Sequence, residues 1–90
     1  MKIKNGASAG TMESSDAYVE IEPSEKGLTL EVSSVVEKQF GEKIKSAVSE
    51  VLAEYGVECA SVRIVDRGAL ECVIRARVET AILRAKEDEK

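Results

Sequence analysis

The stretch AYVEIEPSEKGLTLEVS, Ala17 to Ser33, decides the fold class. Its first six residues alternate, with Val19 and Ile21 on one face and Glu20 and Glu22 on the other. That is the period of a half-buried strand. Pro23 to Gly27 then supplies turn chemistry, with Pro23 to start the turn and Gly27 to accept positive φ. Leu28, Leu30 and Val32 share one face of a second strand. Two such runs across a short connection predict an antiparallel hairpin.

Downstream, Ser34 and Glu37 stand in the S-x-x-E spacing of a capping box. Apolar residues then fall at Val36, Phe40, Ile44, Val48, Val51, Leu52 and Tyr55, steps of three and four that trace one helical stripe. Gly41 is a local weakness in it, and Gly56 reads as the helix stop. ASVRIVD, from Ala60, predicts a third strand with Val62 and Ile64 inward, followed by a turn at Asp66-Arg67-Gly68. ALECVI, from Ala69, predicts a fourth, with Leu70, Cys72 and Ile74 inward. RARVETAILRAKEDEK, from Arg75, returns to helical spacing through Val78, Ala81, Ile82 and Ala85, with a charged end expected to fray from about Lys86.

Upstream, Met1 to Asp16 carries little hydrophobic pattern. Only Ile3 and Met12 are large and apolar among Gly, Ala, Ser and Thr, which predicts a mobile arm unless those two dock on the sheet. The expected fold is α+β: a two-layer sandwich of order ββαββα, with an antiparallel-rich sheet, two helices on one face and a flexible N-terminal arm. The division is an arm at 1–16 and a single α+β domain at 17–90.

Ninety residues bury roughly 60–65% of the surface of the unfolded chain, so one modest core is expected. With 43% hydrophobic residues but only Tyr18, Phe40 and Tyr55 aromatic, that core is aliphatic. A base-stacking platform is not available. The net charge of −4 disfavours polyanionic partners and is compatible with basic ones; no nucleic acid and no membrane partner is expected. No apolar run reaches the roughly 18 residues of a membrane span. MKIKNGASAG has two lysines without an apolar segment behind them, unlike a secretory signal. The expected location is cytoplasmic.

The chain contains no His, which excludes a Ser–His–Asp triad and a His metal site. Cys59 and Cys72 form no CxxC; the expectation is two reduced, largely buried thiols, with a disulfide left open. No catalytic residue and no metal ligand is assigned. Glu20, Glu22 and Glu31 read as the wet side of a sheet, and Glu42, Glu50 and Glu54 as the polar side of a helix. Arg75 and Arg77 flank Ala76, and arginine matches anionic oxygens in a bidentate way. Ion pairing to Glu71 and Glu79 is one reading of this pair; a docking or anion-contact site is the other.

AGTMESSDAY, Ala9 to Tyr18, places Ser14 and Ser15 between Glu13 and Asp16. No base accompanies them. One reading is a solvated loop. The other is an acceptor site, reachable by a modifying enzyme that brings its own base. The whole arm, about sixteen residues from Met1 to Asp16, spans up to roughly 50 Å fully extended and about 20–25 Å as a coil.

Four stretches together carry a resemblance: AGTMESSD (Ala9 to Asp16), SSVVEKQFG (Ser33 to Gly41), RGALECVIRAR (Arg67 to Arg77) and VETAILRA (Val78 to Ala85). In this order the chain resembles the acyl carrier protein, or gamma subunit, of citrate lyase. In that family a serine in AGT-x-ES-x-D carries the prosthetic group, 2'-(5''-phosphoribosyl)-3'-dephospho-CoA, through a phosphodiester. Carried over, the attachment residue is Ser14. The next position is often Gly in the family; here it is Ser15.

The resemblance implies a carrier without catalytic residues of its own. The cofactor thiol would hold an acetyl or citryl thioester. The partners would be the alpha subunit as acyl transferase, the beta subunit as citryl lyase, and a cofactor-transferring enzyme. A helix-bundle carrier fold is not expected, because strand patterns occupy too much of the chain. Glu13 and Asp16 would repel the cofactor phosphates and keep the group off its own carrier. Two alternatives remain at this stage: the carrier of a malonate decarboxylase, which uses the same kind of cofactor, and an unmodified protein-interaction module.

Overall fold

The computed structural model describes residues 3–34 and 37–86, the side chains of 37–40 excepted. The elements are β1 (Ala7–Gly10), β2 (Ala17–Glu22), β3 (Leu28–Ser34), α1 (Glu37–Glu54), β4 (Ala60–Asp66) and α2 (Glu71–Ala85). The fold is α+β, but its order is βββαβα, not ββαββα. The sheet is mixed, with strand order β1-β2-β4-β3.

Two displacements account for the difference. Residues 7–10, read from the sequence as part of a mobile arm, form β1, which pairs antiparallel with β2 (Ala9 opposite Val19, Gly10 opposite Tyr18). Ile3 docks, at 4% exposure, whereas Met12 stays exposed. The expected fourth strand at 69–74 instead turns into α2, which begins at Glu71. Leu70 and Cys72 therefore face outward, and Ile74 is buried on a helical stripe with Val78, Ala81, Ile82 and Ala85. The alternation of Leu70, Cys72 and Ile74 coincides with the i, i+4 step from Ile74 to Val78, and burial follows the second period.

The expected β2–β3 hairpin is not formed either. β4 lies between those strands, antiparallel to β2 and parallel to β3. The parallel pair is joined through α1, the crossover that parallel neighbours require. Burial explains who sits centrally. Ala60, Val62, Ile64 and Asp66 of β4 are all buried, whereas Leu30 and Val32 of β3 are half-buried and Leu28 is exposed. β3 is an edge strand.

One face of the sheet carries the core. The rows Ala9–Val19–Ile64–Val32 and Ala7–Ile21–Val62–Leu30 run across all four strands. They join Ile44, Val48 and Leu52 of α1 and Ile74, Val78 and Ile82 of α2 in a single aliphatic cluster. The other face presents Glu20, Glu31, Arg63 and Ser61, with an Arg63–Glu20 pair at 3.5 Å. The capping arrangement read for Ser34 and Glu37, the stripe positions Val36 and Phe40, and the tail beyond Lys86 lie outside the described residues and side chains. Gly56, at φ 68°, follows α1 as expected. Cys59 and Cys72 are free thiols, as read, but both are exposed, not buried.

Candidate functional site

Ser14 lies in the loop between β1 and β2, and it is exposed. The loop is built by short-range hydrogen bonds. Asp16 N donates to Glu13 O at 3.1 Å, closing a four-residue turn with Ser14 and Ser15 at its centre. Ser15 has φ 66°, the one positive value at a described non-glycine residue. A negative φ at Ser14 followed by a positive φ at Ser15 is the sign pattern of a type II turn, whose third position favours glycine. Thr11 Oγ1 donates to Asp16 Oδ2 at 2.7 Å and accepts from Glu13 N at 3.2 Å.

The loop is then tied to the rest of the fold. The β2–β4 ladder ends at Ala17 opposite Asp66, and its hydrogen bonding continues one step further. Arg67 N donates to Asp16 O at 2.9 Å, and Ser15 N donates to Arg67 O at 2.8 Å. Arg67 Nη1 reaches back to Met12 O at 3.1 Å. From α2, Arg77 donates through Nε to Asp16 Oδ1 and through Nη2 to Asp16 Oδ2, both at 3.0 Å. Asp16 also accepts from Ala17 N at 2.7 Å. The Thr11 hydroxyl, the Arg77 guanidinium and the Ala17 amide hold its carboxyl well below the usual range, at about 2.

Gly10 makes the last tie possible. It has φ +94°, and a Cβ there would stand 1.9 Å from Ala17 O and 3.2 Å from Arg77 Cδ. The missing side chain lets the hairpin close and lets Arg77 pass to Asp16. Two helical turns further on, Arg84 Nη1 donates to Ser8 O at 2.8 Å, so α2 grips the hairpin at both ends.

The turn after β4 is organised by Asp66. Its Oδ1 accepts from Gly68 N at 3.2 Å and Ala69 N at 2.9 Å, and its Oδ2 accepts from Ser34 Oγ at 2.8 Å. At 2% exposure, this carboxylate fixes the segment that carries Arg67 and leads into α2. A cleft of about 430 Å³ lies beside that turn, between Ile44 and Ala47 of α1, Leu70 just before α2 and Ile74 within it.

The expected pair Arg75 and Arg77 divides. Arg75 pairs with Glu71 at 3.0 Å, as read, and with Glu50. Arg77 turns to Asp16, and Glu79 instead accepts from Tyr55 Oη at 2.8 Å. Asp16 is thereby neutralised by Arg77 and is no longer an uncompensated charge beside Ser14, as the repulsion argument required. The contacts of Thr11, Arg67 and Arg77 around the Ser14 loop were not anticipated from the sequence. Arg77 is 61 positions from Asp16, and no local pattern connects them. Among the described residues no group of three or more His, Cys, Asp or Glu could hold a metal ion. Nor is any described helix long and apolar enough to cross a membrane.

Residues 4–85 match the protein-family model described as malonate decarboxylase delta subunit. The chain is 54% identical over 88 residues to citrate lyase acyl carrier protein 2 of Salmonella typhimurium, covering 97% of this chain and 91% of that protein. It is 51% identical over 88 residues to the citrate lyase acyl carrier protein of Klebsiella pneumoniae, again covering 97% and 91%. For the Haemophilus influenzae protein of the same name the identity is 50% over 88 residues, covering 98% and 92%. Among solved structures, a chain of a Pseudomonas malonate decarboxylase hetero-tetramer superposes with a TM-score of 0.67. At 20% identity it covers 94% of this chain and 88% of that one, a likeness of fold. With half of its residues shared with the citrate lyase carriers over nearly its whole length, the chain belongs to the citrate lyase acyl carrier protein family.

Proposed function

We propose that this chain, as the acyl carrier subunit of citrate lyase, bears its prosthetic group on Ser14. The observation that carries the reading is the setting of that hydroxyl. It is exposed at the centre of a tight turn, and the turn is anchored to β4 and α2 by Asp16, Arg67 and Arg77. A modifying enzyme meets a protruding, fixed hydroxyl there and supplies the base that this chain lacks.

The group is 2'-(5''-phosphoribosyl)-3'-dephospho-CoA, joined through a phosphodiester. When bound it supplies the thiol on which an acyl group rides as a thioester. The residues of this chain hold and present it. The partners are the alpha and beta subunits, as acyl transferase and citryl lyase, and a cofactor-transferring enzyme, in the cytoplasm. Identity near one half to citrate lyase carriers, against 20% to the malonate decarboxylase chain, supports citrate lyase over the decarboxylase.

Intact-mass analysis of the chain from its native host, with peptide mapping, tests this. An adduct on the peptide containing Ser14 is expected, and none on Ser14→Ala expressed in the same host. A native chain weighing what its sequence predicts, or an adduct retained by Ser14→Ala, overturns it.

A further inference from the structure

Arg67 is the arginine bound most intimately to the Ser14 loop. Its backbone contacts Ser15 and Asp16, and its Nη1 contacts Met12 O. Its two ends therefore bracket Ser14, one contact two residues before it and one a single residue after it. Two residues of chain span at most about 7 Å, so the guanidinium stands within a side chain's reach of a group on the Ser14 hydroxyl.

The charge balance of the site singles out the same residue. Arg63, Arg75 and Arg77 each pair with a carboxylate. Arg67 has no carboxylate partner among the described residues, and its hydrogen bond to a neutral carbonyl uses one of five N–H donors. Arg84, the other described arginine without a carboxylate, is occupied on Ser8 of β1. Asp16 is neutralised by Arg77. Ser14 thus stands between one unpaired carboxylate, Glu13, and one unpaired guanidinium, Arg67. A phosphodiester brings one negative charge and two free oxygens, which a planar guanidinium matches in a bidentate way.

We propose that Arg67 binds the phosphodiester anion formed on Ser14 and holds the first phosphate of the prosthetic group against the turn between β4 and α2. This rests on Ser14 as the attachment residue. Arg67 is a binding residue, and the rest of the group extends from a phosphate fixed at its root.

The experiment compares loaded and unloaded chains, each defined by intact mass and by mapping of the Ser14 peptide. Loading is expected to raise the melting temperature by about 2–6 °C at low salt, the range of a partly exposed ion pair in a domain of this size. High salt should shrink that gain. Arg67→Gln should lose it, and Arg67→Lys should keep part of it. Arg63→Gln, the same charge change on the uncovered sheet face, should keep all of it. Taking the difference between loaded and unloaded forms removes any effect of the lost Met12 contact. The phosphodiester 31P signal should move toward that of the free diester in Arg67→Gln alone. An equal loading shift and an unmoved 31P signal in Arg67→Gln overturn the Arg67 contact while leaving the attachment intact. Absence of an adduct at Ser14 in the parent chain overturns both.

Discussion

Arg77 and Asp16 meet in a two-pronged ion pair across 61 positions, with Nε on Oδ1 and Nη2 on Oδ2, each at 3.0 Å. The pair fastens the loop bearing Ser14 to the middle of α2. Bidentate geometry fixes direction as well as distance, so the loop is oriented, and Thr11 completes the carboxylate's partners.

The pair has a pH signature. The Asp16 carboxyl is lowered from 3.8 to about 2 in the folded chain, so its ionised form is favoured by folding. Its contribution is fully present above the unfolded value near 4 and is lost as pH falls through about 2. Acid titration of the parent chain should therefore show a stability loss between about pH 4 and 2 that Asp16→Asn does not share. Parallel acid melts of the two chains check it; identical slopes in that window would contradict the assignment. Amide exchange across residues 11–16 should also quicken in Arg77→Gln.

Gly10 has no room for a side chain. Its φ of +94° and the 1.9 Å approach of a Cβ to Ala17 O make Gly10→Ala a steric break in the hairpin. A loss of about 3 kcal/mol or more is expected, as for strained backbone combined with a backbone clash. Urea unfolding measures it. A change below about 1 kcal/mol would show that the hairpin closes differently.

Ser15 bears the opposite strain. At φ 66° a residue with a Cβ costs roughly 1–2 kcal/mol relative to the right-handed region, and glycine returns part of that as unfolded-chain entropy. Ser15→Gly should stabilise the chain by about 0.5–1 kcal/mol and leave loading at Ser14 intact. Thermal unfolding and intact mass on one sample read both outcomes.

Asp66 answers three donors from within the core: Gly68 N, Ala69 N and Ser34 Oγ. Asp66→Ala leaves all three without that acceptor, at a cost of about 3 kcal/mol or more. Asn keeps an acceptor oxygen and should recover part of the loss. Comparing the two variants by urea denaturation separates lost hydrogen bonds from lost volume.

How much of this was legible in the sequence depends on the element. β2, β4 and α1 announced themselves because large aliphatic side chains fell at period 2 or 3.6. β1 did not, because its work is done by small residues. Ala7, Ala9 and Gly10 let α2 pass close over the hairpin, and smallness reads as flexibility when only hydrophobic bulk is counted. The start of α2 was misread because Leu70, Cys72 and Ile74 satisfy strand alternation as well as Ile74 and Val78 satisfy a helix. What decides between them is the Asp66 turn, a contact between side chain and backbone that periodicity does not record. Strand order was hidden for a related reason. Alternation is the same for the central β4 and the edge β3, and only burial separates them. At the candidate site, the local segment pointed to Ser14, which is the proposed attachment residue. The clamp was not legible, because its halves come from opposite ends of the chain and Arg77 had nearer carboxylates to pair with.

The clamp also sets the mechanics of delivery. With Ser14 as the proposed attachment residue, a cargo would start from a pivot pinned to two elements of the domain, and the polypeptide would contribute almost nothing to its stroke. Travel between two catalytic centres must come from the length of the hung group or from rotation of the whole carrier. Without such rotation, both destinations must lie inside a sphere centred on this one turn, with a radius no larger than the extended length of that group.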